Sequence, residues 1–480
     1  MVKTYQDLLE VGTSDSDRMQ FVRDVISDHK QSDLYKEAVI AKQYYEKKNK
    51  TIVEYQKLLY TVSGKAVPDN YSANYKVRSS FFNLFVTQEV QYLLSNGASW
   101  NKPETEKKLG KTFYTQLKKA GTQALWGGVS YAFFNLDHID VFAVDEFAAL
   151  QDETDGSVKA GVRFWQIDNT KPLRATFYEL DGYTEYIWYL RDDGKEEGSI
   201  IQEKRPYIIN VQKSEIGGVE IYNGENYPTF PIVPLWGNPE HQSELEGLRE
   251  QIDCYDLIKS GFANTVDEAS YVYWAIQGAG GMTDMDLTKF VERMKTVHAA
   301  VVEDAGATAE SHTIEAPYAS REALLTRLRT DLFESAMALD VKNIADGAVT
   351  ATQIKAAYEL LDQKASKFED ELIAWLQGIL NLAGIDDDPT FTRARVVNAS
   401  EEVSTVLSAS EYLESSYVTE KILTILGDGD KAKDMIAEMD ANELEPLTRS
   451  KEGDLNGKEN NPNGENGEQP NGQEPKAGRE

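Results

Sequence analysis

The hydrophobic pattern changes its period along the chain, and each change predicts a different kind of element. Up to about residue 126 apolar residues recur at three- and four-residue steps, which predicts helices. The run 77–94 is apolar around most of its circumference, so we expect a buried helix that ends near Asn96-Gly97. Ser32 is placed to cap another helix, whose inner face carries Leu34, Ala38, Ala41 and Tyr45.

Between residues 127 and 222 the pattern changes to short β-branched and aromatic runs. These runs predict the strands of an antiparallel sheet, at 129–134, 162–167, 184–189, 207–211 and 219–222. Glycine-containing turn signals separate them, and these are Asp155-Gly156, Asp181-Gly182, Asp193-Gly194 and Asn223-Gly224.

A proline-punctuated segment, Tyr227 to Asn238, predicts extended chain that leads into a long helix over about 240–270. The opposite face of that helix is acidic. Its apolar face carries Leu245, Leu248, Ile252, Tyr255, Ile258, Phe262 and Val266, and its acidic face carries Glu244, Glu246, Glu250, Asp253 and Asp256, with Lys259.

Two short strands, 271–276 and 298–302, precede two further long helices. The first begins near Ser320 and the second at Thr350, where Thr350 and Gln353 make a capping box. The apolar stripe of the second helix contains Ile354, Leu361, Phe368, Leu372, Trp375, Ile379 and Leu382, and Gly384 ends it. Residues 401–444 predict two or three short helices, and the polar tail after about 450 predicts disorder.

Composition adds few constraints. The 480 residues carry a formal charge of −30 and contain no apolar run long enough to span a membrane. The N-terminus has no apolar signal core, so we expect synthesis in a cytoplasm. The net charge of −30 argues against tight, sequence-reading DNA binding. It is compatible with a conduit that repels phosphates, and equally with plain solubility. The single Cys254 excludes an internal disulfide, and we expect it to be buried.

The sequence offers little catalytic chemistry. Leu109 to Thr112 is similar to the end of a P-loop, but the glycine required five residues before Gly110 is replaced by Thr105. No two of the five histidines have metal-ligand spacing, and His138-Ile139-Asp140 is better explained as a loop that leads into a strand. Asp386 to Asp388 could bind a divalent cation through their oxygen atoms, but we favour a solvated turn for this segment. We therefore predict no catalytic residue, no cofactor and no metal.

The order of these elements resembles that of portal proteins of tailed phages, of the long-tailed Bacillus-phage type. Several segments between residues 35 and 440 carry the resemblance, above all the passage from the proline-rich run into the long helix. They are Gln43-Tyr44-Tyr45 with Lys50-Thr51-Ile52, Gly127 to Ala132 with Ile139 to Asp145, Phe230 to Pro234 with Asn238, and Ile252 to Asp256 with Ser260 and Asn264. The glycine usual after the paired tyrosines is missing, and Val349 to Thr352 replace a Ser-Gly pair.

The resemblance implies an α+β phage portal fold with a helical and β-sheet wing, a two-helix stem, a small α/β clip, a long wing helix and a helical crown. The implied boundaries are wing 1–239, first stem helix 240–270, clip 271–317, second stem helix 318–338, channel loop 339–349, long wing helix 350–385, crown 386–449 and disordered acidic tail 450–480.

The resemblance also implies function. The chain would be a structural protein of the virion, not an enzyme. It would form a ring, usually of twelve subunits, at one capsid vertex, through which double-stranded DNA passes non-specifically. Its partners would be the terminase large subunit, a head-completion or adaptor protein, scaffold and major capsid protein, with no membrane. The tail would either solubilise the chain or lie inside the capsid near the crown.

Two sets of site residues follow from the resemblance. The channel loop would touch DNA, with Lys342 and Asn343 best able to bind phosphates, near Ile344 and Asp346. An ordinary solvated loop is the alternative. Tyr273 and Trp274 are candidate anchors for docking partners on the clip, or else core residues of a strand. At the level of function, two alternatives are another minor capsid or adaptor protein and an unrecognised hydrolase or nuclease.

Overall fold

The computed structural model describes residues 2–60, 64–70, 72–191, 193–213, 220–269, 273–277, 308–312, 318–342, 351–394 and 399–426, with a few isolated positions besides. Its contacts divide the chain into two compact units, Met1–Val396 and Val397–Glu480. The fold is a mixture of helices and antiparallel sheets, which agrees with the α+β prediction. No described helix is both long and apolar enough to cross a membrane.

The first unit opens with four helices, most of which are capped as their sequences suggest. The side chains of Thr4, Ser14 and Ser32 each accept a hydrogen bond from a backbone N–H in the first turn. The predicted cap at Ser32 is therefore confirmed. These helices are α1 (Tyr5–Glu10), α2 (Asp15–Gln31), α3 (Asp33–Tyr45) and α4 (Lys50–Glu54).

The predicted buried helix is α5 (Phe81–Leu94), and most of its circumference is inaccessible to solvent. It ends just before Gly97, whose φ of 73° lies in the left-handed region that glycine tolerates. The neighbouring elements are the hairpin β1 (Leu58–Tyr60) and β2 (Ala66–Pro68), then β3 (Ala98–Trp100), α6 (Glu104–Leu109) and α7 (Phe113–Gly127).

Antiparallel strands fill the region after Gly127, as predicted, but there are more of them than the sequence suggested. A five-stranded sheet has the order β10-β9-β8-β7-β6, and β4 and β5 are neighbours in a three-stranded sheet. The strands of this region are β4 (Val129–Asn135), β5 (His138–Ala143), β6 (Phe147–Gln151), β7 (Val158–Trp165), β8 (Leu173–Glu179), β9 (Gly182–Leu190), β10 (Glu196–Arg205), β11 (Ile208–Lys213) and β12 (Glu220–Glu225).

One predicted turn is wrong. Asn223 and Gly224 lie inside β12, where they pair with Asn210 and Ile209 of β11. A Cβ atom at Gly224 would stand 2.2 Å from the ring of Pro206. The glycine therefore permits the close approach of the Pro206 ring, and it does not form the turn that its local sequence favours.

The proline-punctuated run forms a strand, β13 (Ile232–Trp236), at the edge of the three-stranded sheet. An edge position tolerates Pro234, which has no N–H to donate. The long helix that follows, α8 (Arg249–Ala269), begins later than the predicted residue 240. Asn238 and Ser243 hold the intervening chain in turns through side-chain hydrogen bonds, and Gly247 has a φ of 74°. These local bonds compete with helix formation.

The remaining elements of the first unit include the longest helix. They are the paired strands β14 (Tyr273–Gln277) and β15 (Thr308–His312), the helices α9 (Tyr318–Ser335) and α10 (Ala351–Ala383), and β16 (Pro389–Phe391), which pairs with β3. The α10 stripe is buried, as predicted, at Leu361, Phe368, Leu372, Trp375, Ile379 and Leu382. The predicted cap at Thr350 and the predicted strand 298–302 lie outside the described residues.

The second unit contains α11 (Ala399–Ser408) and α12 (Ser415–Leu426), joined by a short 3-10 turn (Ser410–Tyr412). The prediction of two or three short helices in this region is confirmed for the described residues. The tail after residue 450, predicted to be disordered, lies outside them. The assignment of all these elements to wing, stem, clip and crown stays a prediction.

Candidate functional site

The two helices predicted to form a channel wall, α8 and α9, pack against each other as an antiparallel pair. Near one end Gln251 Nε2 donates to Ser335 Oγ over 3.1 Å. Near the other end Arg321 donates to Thr265 Oγ1 over 2.6 Å, and its guanidinium lies 6.0 Å from the centre of the Phe262 ring. These contacts join residues early in one helix to residues late in the other. We call α8 and α9 the stem pair.

An aromatic cluster fixes one end of the stem pair to the buried helix α5. Phe81 lies edge-on to Tyr255 of α8, with ring centres 5.0 Å apart. Phe85 lies edge-on to Phe333 of α9 at 5.2 Å. Edge-to-face contacts of this kind are directional and add to the stabilisation from burial alone. The early part of α8 and the late part of α9 are therefore packed against α5.

Side chains of α8 also hold an extended segment, residues 75–79, which we call the strap. Asp256 accepts a hydrogen bond from Ser79 N over 2.8 Å. One turn further along the helix, Ser260 accepts one from Val77 N over 2.9 Å. After another turn, Asn264 accepts one from Tyr75 N over 2.6 Å. Every fourth residue of the helix thus pairs with every second residue of the strap. The spacings match, because four helical residues rise about 6 Å and two extended residues span about 6.6 Å.

Asp256 is the most buried member of this ladder, with no exposed surface. Its carboxylate also accepts from Asn49 Nδ2, and Asn49 Nδ2 in turn donates to Ser79 O over 3.2 Å. Burial raises the pKa of Asp256, and the hydrogen bonds from Asn49 and Ser79 oppose that rise. The donors around this buried carboxylate therefore offset part of the cost of burying its charge. The motif Asp256, Ser260 and Asn264 carried part of the sequence resemblance, and the structure shows this bonding role for it.

The strap and α9 lie on roughly opposite sides of α8, since their partners on the helix are about half a turn apart. A third face stays open and carries Glu250, Cys254 and Leu257. The prediction that Cys254 is buried is wrong, because this face has no neighbour within the described chain. Apolar side chains stay exposed elsewhere on the stem pair too, 46% of Val266 and 45% of Leu324.

Only the start of the predicted channel loop lies within the described residues. Lys342 is exposed, and its backbone N–H donates to Asp340 Oδ1 over 3.1 Å. Asn343, Ile344 and Asp346 lie outside the described residues. The DNA-binding role of all four residues therefore stays a prediction.

The two candidate docking residues lie on β14. The backbone of Tyr273 pairs with that of His312, and Trp274 pairs with Ser311 on β15. Their side chains lie outside what the structure describes, so the choice between docking anchors and core residues stays open.

A buried charge cluster, which the sequence did not reveal, joins three elements beside the stem pair. Lys364 of α10 lies 2.9 Å from Glu89 Oε2 on α5 and 2.7 Å from Glu244 Oε2, just ahead of α8. We call these three residues the triad. Burial opposes the charge on Lys364, but its two carboxylate neighbours raise the pKa of this lysine overall. Burial, reinforced by Glu244 and opposed by Lys364, raises the pKa of Glu89 to about 7.

The triad predicts a specific pH dependence. Because the folded-state pKa of Glu89 lies above its unfolded value, its contribution to stability is present below pH 4.5 and lost as pH rises towards 7. We expect the variant Glu89→Gln to lack this component. The difference in unfolding free energy between wild type and Glu89→Gln should change by about 3 kcal/mol between these two pH values. Urea titrations at several pH values measure it, and a constant difference would contradict the assignment.

The segments that suggested other chemistry have structural roles. A Cβ atom at Gly110 would stand 2.3 Å from Asp137 O, so this glycine serves close packing and not a phosphate loop. Asp387 accepts from the backbone of Asn101 and Lys102 and from Thr105, which places it near the start of α6. Within the described residues, no group of three or more acidic, histidine or cysteine side chains is arranged to hold a metal ion.

Comparisons with known proteins agree with the resemblance. The chain is 22% identical to the portal protein of Bacillus phage SPP1, over 80% of this chain and 79% of that protein. It is also 22% identical to the portal protein of Clostridium phage phiCD119 (strain Clostridium difficile/United States/Govind/2006), over 76% and 84%.

Solved structures of gene transfer agent particles are also similar. A chain of the native virion aligns with a TM-score of 0.42 and 12% identity, over 72% of this chain and 89% of that one. A chain of the neck of the empty particle aligns with the same TM-score and identity, over 72% of this chain and 90% of that one. The family of phage portal proteins that are SPP1 Gp6-like matches residues 24–441. The chain therefore belongs to this family of phage portal proteins.

Proposed function

We propose that this chain is the subunit of a ring at one vertex of a phage capsid, through which DNA enters during packaging and leaves during ejection. Portal proteins are structural components of the virion, and this role needs no catalytic group. In this proposal the ring has twelve subunits and docks the terminase large subunit, which supplies ATP hydrolysis, and later a head-completion or adaptor protein. Scaffold and major capsid protein surround it.

The family match over residues 24–441 is the observation that carries this proposal. The stem pair supports it independently. Leu257, Val266 and Leu324 expose apolar surface on these two helices, and neighbouring copies of the chain in a ring would cover such surface. The net charge of −30 suits a conduit, because a mainly acidic wall does not hold DNA phosphates.

Electron microscopy of the purified protein tests the assembly. We expect rings with a central hole of DNA width. The variant Leu257→Glu should assemble less well, because it places a charge on the open face of α8, whereas Leu9→Glu, on the exposed side of α1, should not impair assembly. Protein that stays monomeric at every concentration and salt, with or without scaffold, would contradict the proposal.

We further propose that Lys342 meets DNA phosphates in the channel. Replacing it with glutamine removes an exposed charge at the start of the channel loop, so DNA packaged per capsid should fall by severalfold while rings still form. Lys36→Gln, on the surface of α3 with a side chain 58% exposed, is the matched control. Equal packaging by wild type and Lys342→Gln would exclude this contact.

A further inference from the structure

A short turn follows the end of α9, where Ala338 N donates to Phe333 O over 3.0 Å. Met337 takes a φ of 51°, a left-handed conformation that costs on the order of 1 kcal/mol for a residue other than glycine. Such a turn persists only where the residues around it are held by other contacts. Leu339 and Asp340, the second and third residues after Met337, supply these contacts.

Gln88 of α5 clamps the backbone of Leu339 with both ends of its amide group. Gln88 Nε2 donates to Leu339 O over 2.9 Å, and Leu339 N donates to Gln88 Oε1 over 2.9 Å. One turn further along α5, Tyr92 belongs to the same apolar cluster as the Leu339 side chain. This cluster is completed by Tyr358, Leu361 and Ala365 of α10. Leu339 is thus fixed to α5 and to α10 at once.

Arg329 of α9 holds the next residue. Its guanidinium donates to both carboxylate oxygens of Asp340, over 2.5 and 2.8 Å, and stacks 4.7 Å from the centre of the Phe333 ring. This two-point geometry fixes orientation as well as distance. Asp340 in turn accepts a hydrogen bond from the backbone N–H of Lys342. Arg329 therefore influences the placement of Lys342, the first exposed cation of the loop, through Asp340.

We propose that Gln88 and Arg329 are positioning residues for the channel loop, which they hold at Leu339 and Asp340 so that Lys342 is presented at a fixed place to DNA. This inference rests on the proposed function of the loop. It places the anchored start of the loop at Leu339 and Asp340, beyond the end of α9.

Hydrogen exchange in assembled rings tests the clamp directly. In Gln88→Ala the amide of Leu339 should exchange at least about tenfold faster than in wild type, because it loses its acceptor. Gln88→Glu keeps that acceptor but loses the donor to Leu339 O, so it should restore only part of the protection. Gln20→Ala, which removes an exposed amide on α2, should leave Leu339 unchanged. Unaltered exchange at Leu339 in Gln88→Ala would overturn the proposal.

A spin label at position 342, introduced as Lys342→Cys in a Cys254→Ser background, reports the consequence. The label should become more mobile in Gln88→Ala and in Arg329→Lys, which keeps the charge of Arg329 but not its two-point geometry. Arg329→Lys serves as the milder variant should Gln88→Ala fail to fold. A label whose mobility is the same in wild type and in these variants would contradict the clamp.

DNA packaging then separates positioning from mere stabilisation. In capsids with equal numbers of rings, Gln88→Ala and Arg329→Lys, each with Lys342 intact, should package severalfold less DNA than wild type, and Gln88→Glu should recover part of it. A loosened loop with normal packaging would overturn the proposal. Wild-type rings that never package DNA would instead refute the proposed function, so the two failures are distinguishable.

Discussion

Replacing Lys364 with methionine should lower the free energy of unfolding by about 3–5 kcal/mol. Lys364 is buried, with only 11% of its side chain exposed, and it lies between Glu89 and Glu244. Methionine keeps much of the volume but leaves two carboxylates without their shared cation. At least one of them must then take up a proton or draw in water, and the junction of α5, α10 and the chain ahead of α8 loosens.

Urea titration at a fixed protein concentration measures this loss. Lys367→Met is the matched control one turn of α10 away, because its side chain is 58% exposed and its partner Glu240 is 3.8 Å distant. We expect Lys367→Met to lower the free energy of unfolding by less than about 1 kcal/mol. The double variant Glu89→Gln, Lys364→Met should recover part of the loss, since one uncompensated charge is removed. Equal effects at Lys364 and Lys367 would show that the triad contributes nothing particular.

Replacing Asp256 with alanine should lower the free energy of unfolding by about 3 kcal/mol, the second largest effect after that of Lys364→Met. The carboxylate accepts from Ser79 N and Asn49 Nδ2, and Asn49 and Ser79 are themselves buried. Alanine leaves Ser79 N and one of the two N–H groups of Asn49 Nδ2 without an acceptor, and an unpaired buried donor costs more than the net value of the bond that it loses. The strap should detach from α8 at this end first.

The ladder itself supplies the controls. Ser260→Ala should cost less than Asp256→Ala, because it removes a neutral acceptor, and Asn264→Ala should cost least, because its partner Tyr75 is 54% exposed. Thermal unfolding ranks the three variants, and hydrogen exchange at Tyr75, Val77 and Ser79 locates each loss. The reverse order, or equal effects, would mean that the strap is held by something other than this ladder.

Local periodicity determined a large part of the fold. The stripe of α10, the cap at Ser32 and the end of α5 near Gly97 were predicted from spacing and composition, and the structure confirms them. These features depend on contacts within a few residues, so a short window of sequence contains their cause. The family was likewise recognised from the order of elements.

Local sequence misled where a distant part of the chain imposes a different conformation. The turn signal at Asn223-Gly224 gave way to pairing with β11. Helix α8 begins later than its apolar pattern suggests, because Ser243 bonds to Trp126 O as well as to its own neighbours. Cys254 is exposed because the face of α8 that carries it has no partner within the described chain.

The sequence by itself therefore determined the kinds of elements, most of their positions and the family. Only the tertiary structure decided which polar residues meet. The pairing of Lys364 with Glu89 and Glu244, and of Gln88 with Leu339, joins segments far apart in the chain. Their pairing depends on how the helices cross, and no local spacing encodes that geometry. Burying a charge or an amide costs free energy unless a partner binds it. The tertiary fold supplies that partner, and so it decides whether the residue stabilises or destabilises the folded protein.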